Sequence, residues 1–105
     1  MGDPDFALML LGVFTERLPS KLQSIEEVVV AGDFTAVVAL AHGLKGEAAN
    51  LSLVQLHAVA DRLEKLAPSE KPDSISPCLA ALVAIGGQTL KDAAQMREMI
   101  STGQR

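Results

Sequence analysis

Apolar residues recur at three- and four-residue steps along nearly the whole chain, and this spacing limits the fold more than any other feature of the sequence. It is the period of a helix with one buried face, whereas a half-buried strand would alternate with a period of two. The chain has 3 Phe and neither Trp nor Tyr, while strands usually recruit aromatic and β-branched residues. We therefore predict an all-α protein with a core of Leu, Val, Ala, Ile and Met.

Helix-breaking residues divide this pattern into segments. Asp3 followed by Pro4 is typical of a helix start, and Gly32 is a natural stop before Asp33, which can cap a second helix. Pro19 falls inside the first segment and predicts a kinked or split first helix. Four apolar stripes joined by short connections pack most simply as an antiparallel up-down four-helix bundle, and we predict this architecture.

Further boundaries fall in the second half of the chain. The Ser-Leu-Val-Gln run at 52–55 matches a capping box, so we place the start of the third helix there. Residues 67–76 lack periodicity and are rich in Pro, Ser and charged residues, so we expect a loop there before the last helix. Gly86-Gly87 predict a kink or a break in that helix. We treat residues 1–105 as one helical-bundle domain.

Several sulfur-containing residues fall on the predicted apolar stripes. Met9, Met96 and Met99 are expected to be core fillers. Cys78 is expected to be a small buried residue, because a single cysteine cannot form an internal disulfide. The tail 101–105 is expected to fray.

Composition and charge argue against several functions. The net charge is −4 without a basic stripe, which speaks against nucleic-acid binding. No run reaches the roughly 18–20 apolar residues of a membrane span, and the start lacks the features of a secretory signal, so we expect a cytoplasmic protein without a membrane partner. There is no phosphate-cradling glycine loop for ATP. His42 and His57 have no further ligands at suitable spacing, so we predict no metal site.

The second helical segment carries the residues of chemical interest. At about 100° per residue, Ala41 and Leu44 define its buried side and His42 lies about 100° from Ala41, at the edge of the stripe. The imidazole is therefore expected to face outward. Gly46 and Ala49 fall close to the line of His42, one and two turns further on.

Lys45 lies one turn from His42, and its ammonium can reach back toward the ring. There it would disfavour the imidazolium, which keeps the ring neutral and nucleophilic, and it could stabilise a transferring phosphoryl group. A glycine in mid-helix costs stability, so Gly46 indicates that something approaches the backbone there; the alternative is close packing against a neighbouring helix. Taken singly, each of these residues is ordinary on a helix surface.

The run AHGLKGEAAN at 41–50 resembles the histidine-containing phosphotransfer (HPt) domain of bacterial phosphorelays, whose motif reads approximately A-H-x-L-K-G-x-x-A-N. The upstream spacing of Phe14, Leu18-Pro19 and Leu22 is also similar to the family's preceding helix. The similarity covers roughly residues 6–67. The last helix matches only as a generic member of a bundle.

The resemblance implies that His42 is the phosphorylated residue and that Lys45 interacts with the phosphoryl group. It also implies response-regulator receiver domains and a sensor histidine kinase as partners, with Mg²⁺ on the receiver only and no cofactor in this chain. We expect a monomeric phosphocarrier without ATP-dependent kinase activity of its own. The candidate docking residues are Gly46, Glu47, Ala49, Asn50 and Leu53.

Two departures from the family pattern and two alternatives accompany this interpretation. Glu47 stands where a small residue is common, and Ser52 replaces a glycine often found at the helix junction.

The chain could instead dock receivers without carrying phosphate, or be a domain excised from a hybrid sensor kinase. A relay requires one imidazole nitrogen that is free, uncharged and reachable; a nitrogen sealed among aliphatic groups or held by an internal carboxylate would count against it.

Overall fold

The computed structural model describes residues 4–103, with side chains described from 5 to 99, and within that range it contains helices and no strand. The all-α prediction is confirmed. The predicted cap Asp3 and the last tail residues 104 and 105 lie outside the described residues. The elements are α1 (Pro4–Ala31), α2 (Phe34–Asn50), α3 (Val54–Leu66), the 3-10 turn Ala67–Ser69 and α4 (Pro72–Gly103).

The four helices form a closed bundle. Each helix packs on the next one in the chain, and α1 packs on α4 to complete the ring. Contacts between α2 and α3 run in opposite senses: His42 of α2 meets Glu64 of α3, whereas Lys45, further along α2, meets Asp61, earlier on α3. The bundle prediction is therefore confirmed. No helix within the described range is long and apolar enough to cross a membrane.

The core is formed by side chains from all four helices and from the 3-10 turn. On α2 and α3 the buried residues recur at the helical spacing, so each of these helices turns one face inward. Cys78 is also buried and its Sγ lies 3.7 Å from the Val59 carbonyl oxygen, and this burial raises the pKa of the thiol. The buried apolar side chains are Phe14, Leu18, Leu22, Ile25, Val37, Ala41, Leu44, Ala48, Leu56, Val59, Ala60, Leu63, Ala67, Ile75, Cys78, Leu82 and Ala93.

The junction between α1 and α2 is built as predicted. Gly32 has a φ of +73°, in the left-handed region that glycine adopts most easily. Asp33 caps α2, and its Oδ1 accepts a hydrogen bond of 3.1 Å from the Ala36 amide. This cap fixes the start of the helix that carries His42.

The first helix is not split at Pro19. It is one continuous helix, and the part of the prediction that allowed two helices is wrong. The ring of Pro19 lies on the exposed side, while Leu18 and Leu22 anchor the helix in the core on both sides of the proline. The hydrogen bond that proline cannot donate is outweighed by this burial.

The capping box at 52–55 is also wrong. The N-cap of α3 is Leu53, without a side-chain hydrogen bond. Ser52 instead ends α2: it has a φ of +58°, its amide donates to Ala49, and the Leu53 amide donates to the Ala48 carbonyl at 2.9 Å. This is the pattern of a helix C-terminus closed by a left-handed residue, a position at which glycine is preferred.

We therefore expect Ser52→Gly to stabilise the fold by about 1 kcal/mol, because glycine avoids the cost of a left-handed side-chain residue. Ser24→Gly, on the exposed side of α1, is the matched control and should destabilise by about 0.5 kcal/mol. Urea unfolding measures both. Equal effects of the two substitutions would show that the backbone conformation at Ser52 carries no strain.

The loop predicted at 67–76 is much shorter than expected. Only Glu70 and Lys71 separate the 3-10 turn from α4, which begins at Pro72. Proline is well tolerated at a first helical position, and Ile75, which the loop prediction left out of the helix, is fully buried. Proline frequency misled the prediction, because Pro68 lies in the 3-10 turn, Pro72 begins α4 and Pro77 lies within it.

Gly86 and Gly87 do not break α4, which is continuous through both. A Cβ on Gly86 would lie 2.7 Å from Cδ1 of Leu22, whereas a Cβ on Gly87 would meet nothing within 4 Å. Gly86 therefore lets α1 and α4 approach each other closely. The position at which we predicted a kink or a break is instead a site of close helix packing.

The glycine pair provides a matched test of this contact. Gly86→Ala should destabilise by about 1–3 kcal/mol, because Leu22 is itself buried and has little room to move. Gly87→Ala should stabilise by about 0.5–1 kcal/mol, because it removes only the flexibility of glycine in the unfolded chain. Chemical denaturation compares them, and a stabilising Gly86→Ala would rule out the close approach.

The three methionines are not core fillers. Met9 and Met96 are 55% and 44% exposed, and Met99 is also exposed. Met96 lines a surface groove with Phe6 of α1 and Leu53 of the α2–α3 turn.

Candidate functional site

His42 lies near the middle of α2 and faces outward. Its side chain is 68% exposed, while Ala41 and Leu44 beside it are buried. The orientation predicted from the helical period is therefore confirmed. The imidazole is reachable from solvent and, by the same path, from another protein.

A carboxylate on α3 holds one nitrogen of the ring. Nδ1 of His42 lies 3.1 Å from Oε2 of Glu64. A hydrogen bond from Lys45 holds the pKa of Glu64 below its ordinary value, with the contact to His42 adding to this effect. Glu64 is thus ionised at neutral pH and can only accept a hydrogen bond. This assigns the proton to Nδ1, and in the neutral ring it leaves the lone pair on Nε2.

The contact with Glu64 is one of the two features that would count against a relay. It concerns Nδ1 alone, because Nε2 has no hydrogen bond among the described residues. The ring is also not sealed among aliphatic groups, since most of it is exposed. One nitrogen is held and the other is open.

The sequence had suggested that the Lys45 ammonium reaches back toward the ring, but in the structure it pairs with two carboxylates instead. Its Nζ lies 2.7 Å from Oε1 of Glu64 and 3.3 Å from Oδ1 of Asp61, and the hydrogen bond with Glu64 is the main reason that the pKa of Lys45 is raised. Two carboxylates thus balance the ammonium charge. The argument that Lys45 alone keeps His42 neutral therefore loses its basis.

Asp61 extends the network to a second lysine. Its Oδ2 lies 2.9 Å from Nζ of Lys65, one turn further along α3. Hydrogen bonds from Lys65 and, second, from Lys45 lower the pKa of Asp61. The cluster therefore holds two cations and two anions beside the imidazole of His42.

Asp61 and Glu64 are the site residues that the sequence analysis missed. Both belong to the charged face of α3, but they are only 28% and 22% exposed and turn toward α2. A signal was available: in an antiparallel pair of helices, acidic residues three apart on α3 can meet His42 and Lys45, which are three apart on α2. Pairing the two faces would have found them.

The predicted docking residues form a partly continuous surface. Gly46, Ala49 and Asn50 are exposed on α2, and a Cβ on Gly46 would meet nothing within 4 Å. The explanation that Gly46 allows close packing against a neighbouring helix is therefore wrong. Glu47 is half-buried and paired with Lys21 of α1 at 2.9 Å, and Leu53 lies beyond the end of α2, half-buried against the core.

His57 is partly buried and takes no part in the ion pairs of this network. Among the described residues, no group of three or more His, Cys, Asp and Glu side chains is placed to hold a metal ion.

Comparison with known families agrees with this geometry. The family model of the Hpt domain matches residues 9–102. The chain belongs to the Hpt family. The match includes α4, which by sequence had resembled only a generic bundle helix. Neither a curated protein nor a solved structure matches the chain. Hpt domains serve phosphotransfer in two-component signalling and are phosphocarrier modules, not kinases.

The tautomer of this Hpt domain's histidine can be measured directly. Glu64→Ala removes the acceptor for Nδ1–H, so the proton should move in part to Nε2, and the ¹⁵N shifts of the His42 ring report the change. Glu47→Ala removes a carboxylate on the same helix as His42 and should leave these shifts unchanged. Wild-type protein with the proton already on Nε2 would contradict the assignment.

Proposed function

We propose that this Hpt domain is a phosphorelay intermediate, in which His42 takes a phosphoryl group from a receiver-domain aspartate and passes it to a response-regulator aspartate. The observation that carries the proposal is the orientation of the His42 ring. Nδ1 is held by Glu64, and the exposed ring offers the lone pair of Nε2 to an incoming group. A nucleophile needs this arrangement, since its partner must reach one nitrogen with the proton kept on the other.

The transfer needs no acid or base from this domain. The lone pair of Nε2 attacks the phosphorus of the aspartyl phosphate in line; the Nε2–P bond forms and the bond from phosphorus to the carboxylate oxygen breaks. The electron pair leaves with the carboxylate. The ring becomes a phosphorylated imidazolium, and its positive charge faces Glu64 through Nδ1–H. The same steps in reverse deliver the phosphoryl group to the second receiver.

Glu64 acts in this scheme as a positioning residue. It keeps the proton on Nδ1 before attack and stabilises the ring charge that develops during attack. A phosphorylated imidazolium also gives up its phosphoryl group more readily than a neutral phosphoimidazole, because the group that leaves is then neutral imidazole. The same contact therefore assists the onward step. One carboxylate thus serves both directions of the transfer.

Lys45 and the exposed surface beside it provide the remaining functions. The ammonium of Lys45 can neutralise part of the phosphoryl charge, and Gly46, Ala49 and Asn50 form a low surface on which a receiver can sit close to the ring. Glu47 and Leu53 lie at its edge. Mg²⁺ would be held by the receiver, and this domain would act as a monomer in the cytoplasm beside a sensor histidine kinase.

The proposal is tested by replacing the nucleophile. His42→Gln should abolish acceptance of phosphate from a phosphorylated receiver, with loss of all acid-labile, base-stable radiolabel, while circular dichroism stays that of a folded bundle. His57→Gln, the other histidine, should accept phosphate as the wild type does. Acid-labile phosphate in the His42→Gln protein would overturn the assignment. Normal receiver binding without any transfer by the wild type would favour the docking module that carries no phosphate.

A further inference from the structure

The Lys45 ammonium lies on the side of the His42 ring that the phosphoryl group does not use. Lys45 and Nδ1 of His42 contact the two oxygens of the same Glu64 carboxylate, so the ammonium lies near Nδ1. The two nitrogens of an imidazole point away from each other across the ring. A phosphoryl group on Nε2 would therefore be reached by Lys45 only after its side chain has moved.

Two contacts oppose this movement, and they differ in length. The contact of Lys45 with Glu64 is short, at 2.7 Å, whereas the contact with Asp61 is 3.3 Å. Asp61 is shared, since its other oxygen lies 2.9 Å from Lys65. Glu64 is also needed at the ring, where it holds Nδ1. The ion-pair partners of Asp61 are Lys45 and Lys65, so its contact with the site runs through Lys45.

We propose that Asp61 is a positioning residue that holds the Lys45 ammonium back from the phosphorylated ring, and that Lys65 weakens this hold by competing for the same carboxylate. The inference rests on the proposed function. Its consequence is that phosphohistidine in this domain is kept less stable than Lys45 alone would make it. The phosphoryl group is then passed on more readily than it is stored.

The size of the effect follows from charge. A phosphoryl group adds about −1.5 to −2 charges, and an ammonium brought about 5 Å closer to it in a well-hydrated site stabilises it several-fold, less what salt screens. Removing the negative charge of Asp61 should therefore lengthen the life of the phosphohistidine about threefold. Removing Lys65 should shorten it, by a smaller factor, because exposed pairs are weak.

The experiment uses the whole chain and no partner. Phosphoramidate phosphorylates histidine directly, and ³¹P NMR identifies the phosphorylated nitrogen and follows its decay. Asp61→Asn keeps the shape of the side chain and should slow the decay about threefold. Lys65→Ala should accelerate it. Asp92→Asn, which removes a carboxylate whose hydrogen bond is to Gln88 on α4, is the matched control and should leave the rate unchanged.

A double-mutant cycle shows whether Asp61 acts through Lys45. In a Lys45→Ala background, Asp61→Asn should no longer slow the decay, since there is no ammonium to release. Slower decay of equal size in that background would mean a direct repulsion between Asp61 and the phosphoryl group and would overturn the proposal. An unchanged or faster decay in Asp61→Asn alone would also overturn it.

The failure of this inference is distinct from failure of the proposed function. If His42 of the wild type is phosphorylated on Nε2 and the Asp61→Asn protein decays at the same rate, only the role of Asp61 is wrong. If no phosphohistidine forms on His42 in the wild type while a free imidazole in the same solution reacts, both are wrong. Thermal unfolding of each variant shows whether a rate change reflects loss of the fold.

Discussion

The carboxylate of Glu64 joins His42 and Lys45, the two residues to which the proposed function assigns the chemistry. One oxygen accepts from Nδ1 of His42 and the other meets the ammonium of Lys45. Without it, the imidazole would turn freely on an exposed helix, with its proton on either nitrogen. With it, the ring has one orientation and one open nitrogen. The same carboxylate also balances the positive charge of the Lys45 ammonium.

The fold explains why this carboxylate can act across two helices. The contact requires α2 and α3 to keep a fixed register, and the register is set by buried residues on both: Leu44 and Ala48 on one helix, Val59 and Leu63 on the other. A shift by one residue would rotate these side chains out of the core and would be costly. The polar site therefore uses a geometry that the apolar core maintains.

The sequence was a good guide wherever a pattern depends on one helix, and a poor guide wherever it depends on two. The helical period placed His42 outward and the stripe of α2 inward, and Gly32 and Asp33 gave the boundary between α1 and α2. The continuity of α1 through Pro19 depends instead on burial against other helices, and this burial cannot be inferred from the residues around the proline. Glu64 was missed for the same reason, because its partners lie on α2.

A phosphoryl carrier must hold its cargo firmly enough to receive it and loosely enough to release it. A site with one free lysine beside the histidine would favour the first requirement over the second. Here the lysine is shared between Glu64 and Asp61, and Asp61 is shared with Lys65, so no charge in the cluster is without a counter-charge. Arrival of a phosphoryl group disturbs that balance, and its departure restores it. A near-neutral network therefore suits the role proposed for His42, in which the residue accepts and donates the phosphoryl group at similar free energies.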